Sequence, residues 1–383
     1  MKKKWITFII LVIGASVAMK LSSIKDAFYV PMMNAFDMNN EQFGMTRSVY
    51  GIVQMIGYIP AMFLADRFSK KTMIPLSLFA LAMIGFYFAT IPGYAGLLLV
   101  FALLAIFGEM TYWPIMLKAV RFLGTEKEQG RLFGILEGGR GVIDVIVSFL
   151  ALGIFVYIGS NITGLRASIC FYSFALILIA IVSYFVLEPD IIEKSGSMKD
   201  DIKNVLVGIK QELSRINIWL LAFIAFFIWL AYAGLTSFIP FLRDIYALPI
   251  AMLGAYGIAN QYGLKLIGGP TAGVLADKVF KSPLRTMQMA FIGGIIGLII
   301  LRFYPAQDGN VYLGMVLTLG MASFVFMLRA LAFAPMVEMR IPKERAGSAM
   351  ALVCLVGYSS NIFAYAMYGK IIDTHHGAIT GYN

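Results

Sequence analysis

The chain has 383 residues, 60% hydrophobic and 14% charged, with 37 Gly, 30 Phe and a formal net charge of +10. Apolar runs long enough to cross the roughly 30 Å hydrocarbon core recur along its whole length, which excludes a soluble catalytic domain and makes the chain a polytopic membrane protein. Its two cysteines, Cys170 and Cys354, fall inside apolar runs and read as small core hydrophobes, so a disulfide framework and a thiolate metal cluster are excluded too.

In chain order, the start "MKKKWITFIILVIGASVAM" has the basic head and apolar body of a signal peptide. The helical apolar pattern continues to Pro31, so it is read as a retained first span. Spans are predicted at 5–33, 47–66, 72–92, 95–118, 132–158 and 166–187, and again at 217–242, 249–276, 284–304, 311–337 and 346–372. The expected architecture is all-α: an N-terminal six-helix bundle (1–187), a linker (188–215) and a C-terminal bundle (216–383). In the linker Ile202, Val205, Leu206, Ile209 and Leu213 form an apolar stripe, which predicts a helix lying on the membrane surface. After Ile372 no apolar run answers to the sixth span, and the expectation is a longer parent frame that supplies a twelfth.

Lys and Arg collect in "ADRFSKK", "KAVRFLGTEKEQGR", the linker, "ADKVFKSPLR" and "EMRIPKER", whereas alternate loops such as "FDMNNEQFG" carry few cations. The positive-inside rule puts the N-terminus in the cytoplasm, in a multi-pass cell membrane protein of the bacterial inner-membrane kind. The positive charge is then topogenic, and nucleic acid binding is an unnecessary reading.

The two halves repeat each other. "FYVP" from Phe28 is echoed by "SFIP" from Ser237, "VYGI" after Ser48 by "AYGI" after Gly254, and "FLADRFSKK" by "VLADKVFKS". The last pair resembles the loop motif of the major facilitator superfamily, Gly-x-Leu-Ala-Asp-Arg-x-Gly-Arg-Arg. The second copy keeps Gly273, Leu275, Ala276, Asp277 and Lys278, while the first has Met62 and Ser69 in place of the two glycines. The resemblance covers essentially the whole chain and implies the major facilitator fold, two pseudo-symmetric six-helix bundles. It also implies that Asp66, Arg67, Asp277 and Lys278 belong to a cytoplasmic gate.

A finer resemblance lies in "GEMTYWPIMLKAVRFLGTEKEQG", which is similar to the Glu-x-x-x-x-Pro run and following loop of proton-coupled organic anion symporters in that superfamily. The related organophosphate:phosphate antiporters share the Trp-Pro step. The resemblance implies that Glu109 is the proton-coupling residue and that Lys25 stands where both branches carry an arginine. Gln129 departs from the loop pattern, which has arginine there.

The residues themselves also point to an intramembrane site. A charge at the bilayer centre costs at least about 2.5–3.5 kcal/mol on insertion scales, so deep ionisable groups are functional candidates. "GILEGGRGVIDV" (134–145) places Glu137, Arg140 and Asp144 on one helical face. Glu137 and Arg140 read equally as a structural ion pair. Aligning Pro114 with Pro335 brings Glu109 to the depth of Arg329, and Asp144 and Lys265 also share a depth, which predicts an inter-bundle pair between them. Within the spans Lys20, Lys25, Arg140, Lys265 and Arg329 outnumber Asp26, Glu109, Glu137 and Asp144 by one.

A basic cavity of this kind fits a small organic anion, with arginine as the bidentate partner. Tyr29, Tyr112, Trp113, Asn260, Gln261, Tyr262, Tyr358 and Asn361 would contact its body. The function expected is that of a secondary transporter working by alternating access, in symport with a proton, as a monomer in the lipid bilayer. No nucleophile constellation, cofactor motif or metal motif calls for an enzyme. A proton-driven exporter of drugs or metabolites and a transporter-like ligand sensor are the alternatives.

Overall fold

The computed structural model describes residues 2–125, 128–189, 207, 213–304, 310–339, 343–375 and 382. The predicted surface helix of the linker lies outside the described residues. All regular structure among the described residues is helical, and helices fall on every predicted span. Among the described residues seven helical stretches are long and apolar enough to cross a membrane.

The chain packs as two units, the first holding residues 1–38 and 49–195 and the second residues 39–48 and 196–383. In the first unit the opening span is two helices, α1 (Lys2–Val17) and α2 (Lys25–Phe36), separated by turns over 18–24. Within α2, Pro31 lacks an N–H and its ring crowds the Ala27 carbonyl, and the chain kinks at Phe28 (φ −125°, ψ 31°). Next come α3 (Asn40–Arg67), α4 (Lys70–Ala89), α5 (Tyr94–Ala105), α6 (Trp113–Phe122), α7 (Gln129–Ile158) and α8 (Ile162–Val186).

Between α5 and α6 the segment Ile106–Tyr112 is wound as a π-helix. Pro114 cannot donate to the carbonyl of Met110, and the Trp113 N–H instead reaches the Gly108 carbonyl one residue farther back. The α8 helix starts on Asn161, whose side chain accepts from the Thr163 and Gly164 N–H groups. Its Ser168 hydroxyl donates to Ala151 of α7 at 2.9 Å, a small polar contact of the kind that holds membrane helices together. Phe174, Leu178, Ile181 and Phe185 of α8 are exposed, the face that meets lipid in a membrane.

The second unit contains α9 (Ile216–Gly234), α10 (Phe238–Tyr246), α11 (Ile250–Ile258), α12 (Leu264–Val274), α13 (Pro283–Phe303), α14 (Val311–Leu331), α15 (Pro335–Glu338), α16 (Lys343–Ser359) and α17 (Ala364–Thr374). Two π-helical segments lie in its "AYGI…ADKV" span, Ala259–Gly263 and Leu275–Val279. Its core is aliphatic, with Leu221, Ala222 and Ala225 of α9 against Leu352 and Val353 of α16. On α13, Ile292, Ile295, Ile296, Ile299 and Ile300 are exposed, as expected of a lipid-facing stripe.

The beginning of α3 belongs to this second unit. Asn39 and Gln42 cap it reciprocally, each side chain accepting from the other's N–H, at 3.1 and 2.8 Å. The Asp373 carboxylate of α17 then accepts from the Asn40 N–H at 3.2 Å, the Asn40 side-chain amide at 2.6 Å and the Glu41 N–H at 2.7 Å. A carboxylate is favoured there by the positive end of the helix dipole. The backbones meet at glycine: a Cβ on Gly44 would overlap the Tyr365 carbonyl, and one on Gly369 would overlap the Asn40 carbonyl.

Candidate functional site

The polar centre of the second unit is built on α14, α9 and α16. The Arg329 guanidinium of α14 lies 3.8 Å over the Tyr232 ring and 4.4 Å over the Trp229 ring, both from α9, and 5.7 Å from the Phe326 ring. Trp229 and Tyr232 are three apart, so one helical face offers both rings to the cation. Trp229 also stacks on Tyr358 of α16, with ring centroids 4.7 Å apart. No carboxylate of a described residue pairs with Arg329, and its Nε, though buried, has no hydrogen-bond partner.

Unused acceptors occur in the same unit. Asn260 and Gln261 sit on the first π-segment and are 0% and 3% exposed. The Asn260 amide donates to the Leu235 carbonyl just beyond α9 at 3.3 Å, which leaves its Oδ1 facing away and without a partner. Gln261 Oε1 and Asn361 Oδ1 are also buried without partners, and Asn361 lies on the 3₁₀ turn Ser360–Ile362 that follows Tyr358. Buried polar atoms left unsatisfied are rare in folded proteins, so each of these acceptors is one where a ligand's donor would be favoured. Tyr262 is buried on the same π-segment, and Lys265 occupies the first turn of α12, half-buried.

The first unit carries a matching arginine on tryptophan. Arg140 of α7 lies 4.5 Å over the Trp113 ring and pairs with Glu137 at 2.7 Å, and its Nε has no hydrogen-bond partner. Glu109 lies on the π-segment between α5 and α6, where the widened turn moves it off the regular helical register, and the Tyr50 hydroxyl donates to its Oε1 at 2.9 Å. Lys25 is buried and paired with its neighbour Asp26 at 2.7 Å, and Tyr29 is buried on the same helix.

Asp144 has a partner within its own unit: Lys20 Nζ stands 2.8 Å from its Oδ1, both side chains nearly inaccessible. Lys265, the partner expected from depth, belongs to the second unit. Counting residues along a span gives depth but not direction around the axis, so the count does not single out Lys20, which lies in the turns between α1 and α2. Tyr112 is fully buried, its hydroxyl against Gly14 of α1 and without a hydrogen-bond partner. Of the gate residues, Asp277 and Lys278 lie on the second π-segment; Asp66 and Arg67 end α3, and their side chains lie outside the described residues.

Trp229, Tyr232 and Tyr50 were missed as candidates. The available signal is an aromatic pair at helical spacing on a span with no charge of its own.

Comparison with known proteins agrees with the architecture. The Major Facilitator Superfamily family model matches residues 6–365. The chain is 42% identical over 381 residues to the inner membrane protein YihN of Escherichia coli K12, covering 99% of this chain and 90% of that protein. It is 26% identical over 375 residues to the inner membrane protein YqcE of the same organism, covering 97% and 88%. Among solved structures it is similar to an inward-facing, unoccupied bacterial homologue of the human lysosomal transporter Spinster, with TM-score 0.78, 16% identity and coverage of 98% and 85%. It is also similar to the nucleoside transporter NupG, with TM-score 0.74, 13% identity and coverage of 99% and 94%. The chain is a multi-pass membrane protein of transporter fold, not an enzyme, and it belongs to the Major Facilitator Superfamily.

Proposed function

We propose that the chain is a secondary transporter of the inner membrane that carries a small organic anion, a carboxylate, sulfonate or phosphate ester, by alternating access in symport with a proton. The observation that carries this reading is Arg329, a cation in a membrane span that stacks on Trp229 and Tyr232 and pairs with no described carboxylate. A guanidinium in that setting gains most from an anion that arrives with the substrate, and stacking leaves its N–H edge free to hold two oxygens. The partnerless acceptors on Asn260, Gln261 and Asn361 would take donors on the substrate's body.

Glu109 supports proton coupling. Its carboxylate lies on a distorted segment and accepts from the Tyr50 hydroxyl. Such a group can change protonation with limited rearrangement of its neighbours. In this reading the N-terminus is cytoplasmic and the working unit is a monomer.

The test is uptake into proteoliposomes, using anions first found by the rise they cause in the melting temperature of the purified protein. An imposed pH gradient should drive accumulation. Glu109→Gln should abolish uphill accumulation while sparing exchange, and Arg329→Ala should abolish both. Stabilisation by uncharged nucleosides and by no anion would replace the anion reading.

A further inference from the structure

Three lysines of the first unit gather at the C-terminal end of α8. Lys3 lies in the first turn of α1, Lys70 and Lys71 open α4, and Glu188 stands two residues beyond α8, on which both other helices pack. The Lys3 ammonium pairs with the Glu188 carboxylate, and Lys71 Nζ lies 5.8 Å from the centroid of the Tyr184 ring on α8. Glu188 has its carboxyl held below the ordinary range, by the hydrogen bond and charge of Lys3 first and by the charges of Lys70 and Lys71 after it. Three positive charges from two helices thus act on one carboxylate.

Topology alone does not ask for this convergence. The positive-inside rule counts cations on one side of the membrane and is indifferent to where around the bundle they stand. Stability does not ask for it either: the Lys3 and Glu188 side chains are 72% and 68% exposed, so water screens their contact and it contributes little to folding. Farther along the same two helices the surface turns apolar, with Leu76 and Phe79 exposed on α4 and Ile181 and Tyr184 exposed on α8. Each of these pairs is three residues apart and shares a helical face. A cationic rim above a lipid-facing wall complements a phospholipid of negative headgroup, whose phosphate meets the ammonium groups while its acyl chains cover the wall.

We propose that the ends of α1, α4 and α8 form a binding site for an anionic phospholipid of the phosphatidylglycerol type, its phosphodiester held by Lys3 and Lys71 and its acyl chains lying on the exposed faces of α4 and α8. Glu188 competes with the phosphate for Lys3 and so sets how tightly the lipid is held. The site follows from the membrane fold and these charges, and it is independent of the reading that the transported substrate is an anion.

The experiment titrates phosphatidylglycerol or phosphatidylcholine into purified protein in neutral detergent and reads retained lipid by native mass spectrometry. The native protein should retain phosphatidylglycerol in preference to phosphatidylcholine, and added NaCl should erode the preference. Lys3→Gln and Lys71→Gln should each weaken phosphatidylglycerol about fivefold, and together about 25-fold, the scale of a lysine's attraction to an anionic membrane surface. Glu188→Gln should do the opposite, tightening phosphatidylglycerol and leaving phosphatidylcholine unchanged, a gain that a merely structural Lys3–Glu188 pair would not give. Equal retention of the two lipids by the native protein, unchanged affinity in the double lysine variant, or loss of lipid in Glu188→Gln would overturn the proposal. Displacement of the lipid by millimolar inorganic phosphate would assign the lysines to a small free anion and overturn it equally. Lipid affinity is read without transport, so this outcome and that of the uptake assay are separable.

Discussion

Removing one member of the Lys20–Asp144 pair should be far more damaging than removing both. The side chains are 2% and 6% exposed at 2.8 Å, so water screens neither partner and no surface discount applies. Asp144→Leu takes the carboxylate from the Lys20 ammonium, and Lys20→Met takes the ammonium from the carboxylate. Each should lower stability by about 3–5 kcal/mol, the range for an uncompensated buried charge. In the double variant two apolar side chains of similar volume replace the pair, and Ser16 and Ser148 can bond back to carbonyls of their own helix, so the total loss should be no more than about 2 kcal/mol. The coupling energy is then at least about 4 kcal/mol, well outside the additivity seen between independent sites. Equilibrium unfolding of the four proteins in mixed detergent micelles measures it. Additivity within about 0.5 kcal/mol, or stronger coupling of Asp144→Leu to Lys265→Met than to Lys20→Met, would refute the assignment of partners.

Further outcomes are expected at three other places. Arg329→Lys keeps the charge but loses the planar fork and its stacking, and should raise KM for the transported anion by about tenfold or more at constant expression; unchanged KM would remove Arg329 from the site. Asp373→Ala uncaps α3 and should weaken its first turn by about 1–2 kcal/mol, read as roughly 5- to 30-fold faster hydrogen exchange at the Asn40 and Glu41 amides. Glu128, in the loop before α7, has its carboxyl lowered to about 2 by the Thr125 N–H, the Lys4 ammonium and the Thr125 hydroxyl. A depressed carboxyl pKa favours the folded loop fully above its ordinary value and ceases to do so as pH falls through about 2. Carbodiimide labelling should therefore find it ionised at pH 3.5, and a titration midpoint near 4.5 would be the contrary result.

Much of the fold was legible because a bilayer imposes one rule on every span: about 20 residues, apolar toward lipid, with cations gathered on one side. Helices appear on every predicted span, and the repeat that relates "FLADRFSKK" to "VLADKVFKS" pointed to the family that the whole-chain match supports. What escaped was local winding. Nothing in the count from Arg131 to Asp144 says which neighbour Asp144 faces, and the interruption at 18–24 rotates α2 relative to α1 in a way that a single helical period cannot represent. The same holds at Glu109, where the π-turn before Pro114 shifts every position N-terminal to it by about one residue's rotation.

These interruptions are not scattered. The turns at 18–24 hold Lys20, the segment Ile106–Tyr112 holds Glu109, Ala259–Gly263 holds Asn260 and Gln261, and Leu275–Val279 holds Asp277 and Lys278. Each places a polar or charged side chain where a regular helix would have supplied an apolar face. In a membrane the backbone groups freed by such a break must be satisfied internally, so a break is costly wherever it does no more than bend the chain. Four such places, each carrying chemistry, argue that the interruptions position these groups. The regular rods, α8 and α13 above all, are left to meet lipid. A chain read only for its apolar period would thus locate the wall of this protein and overlook its interruptions.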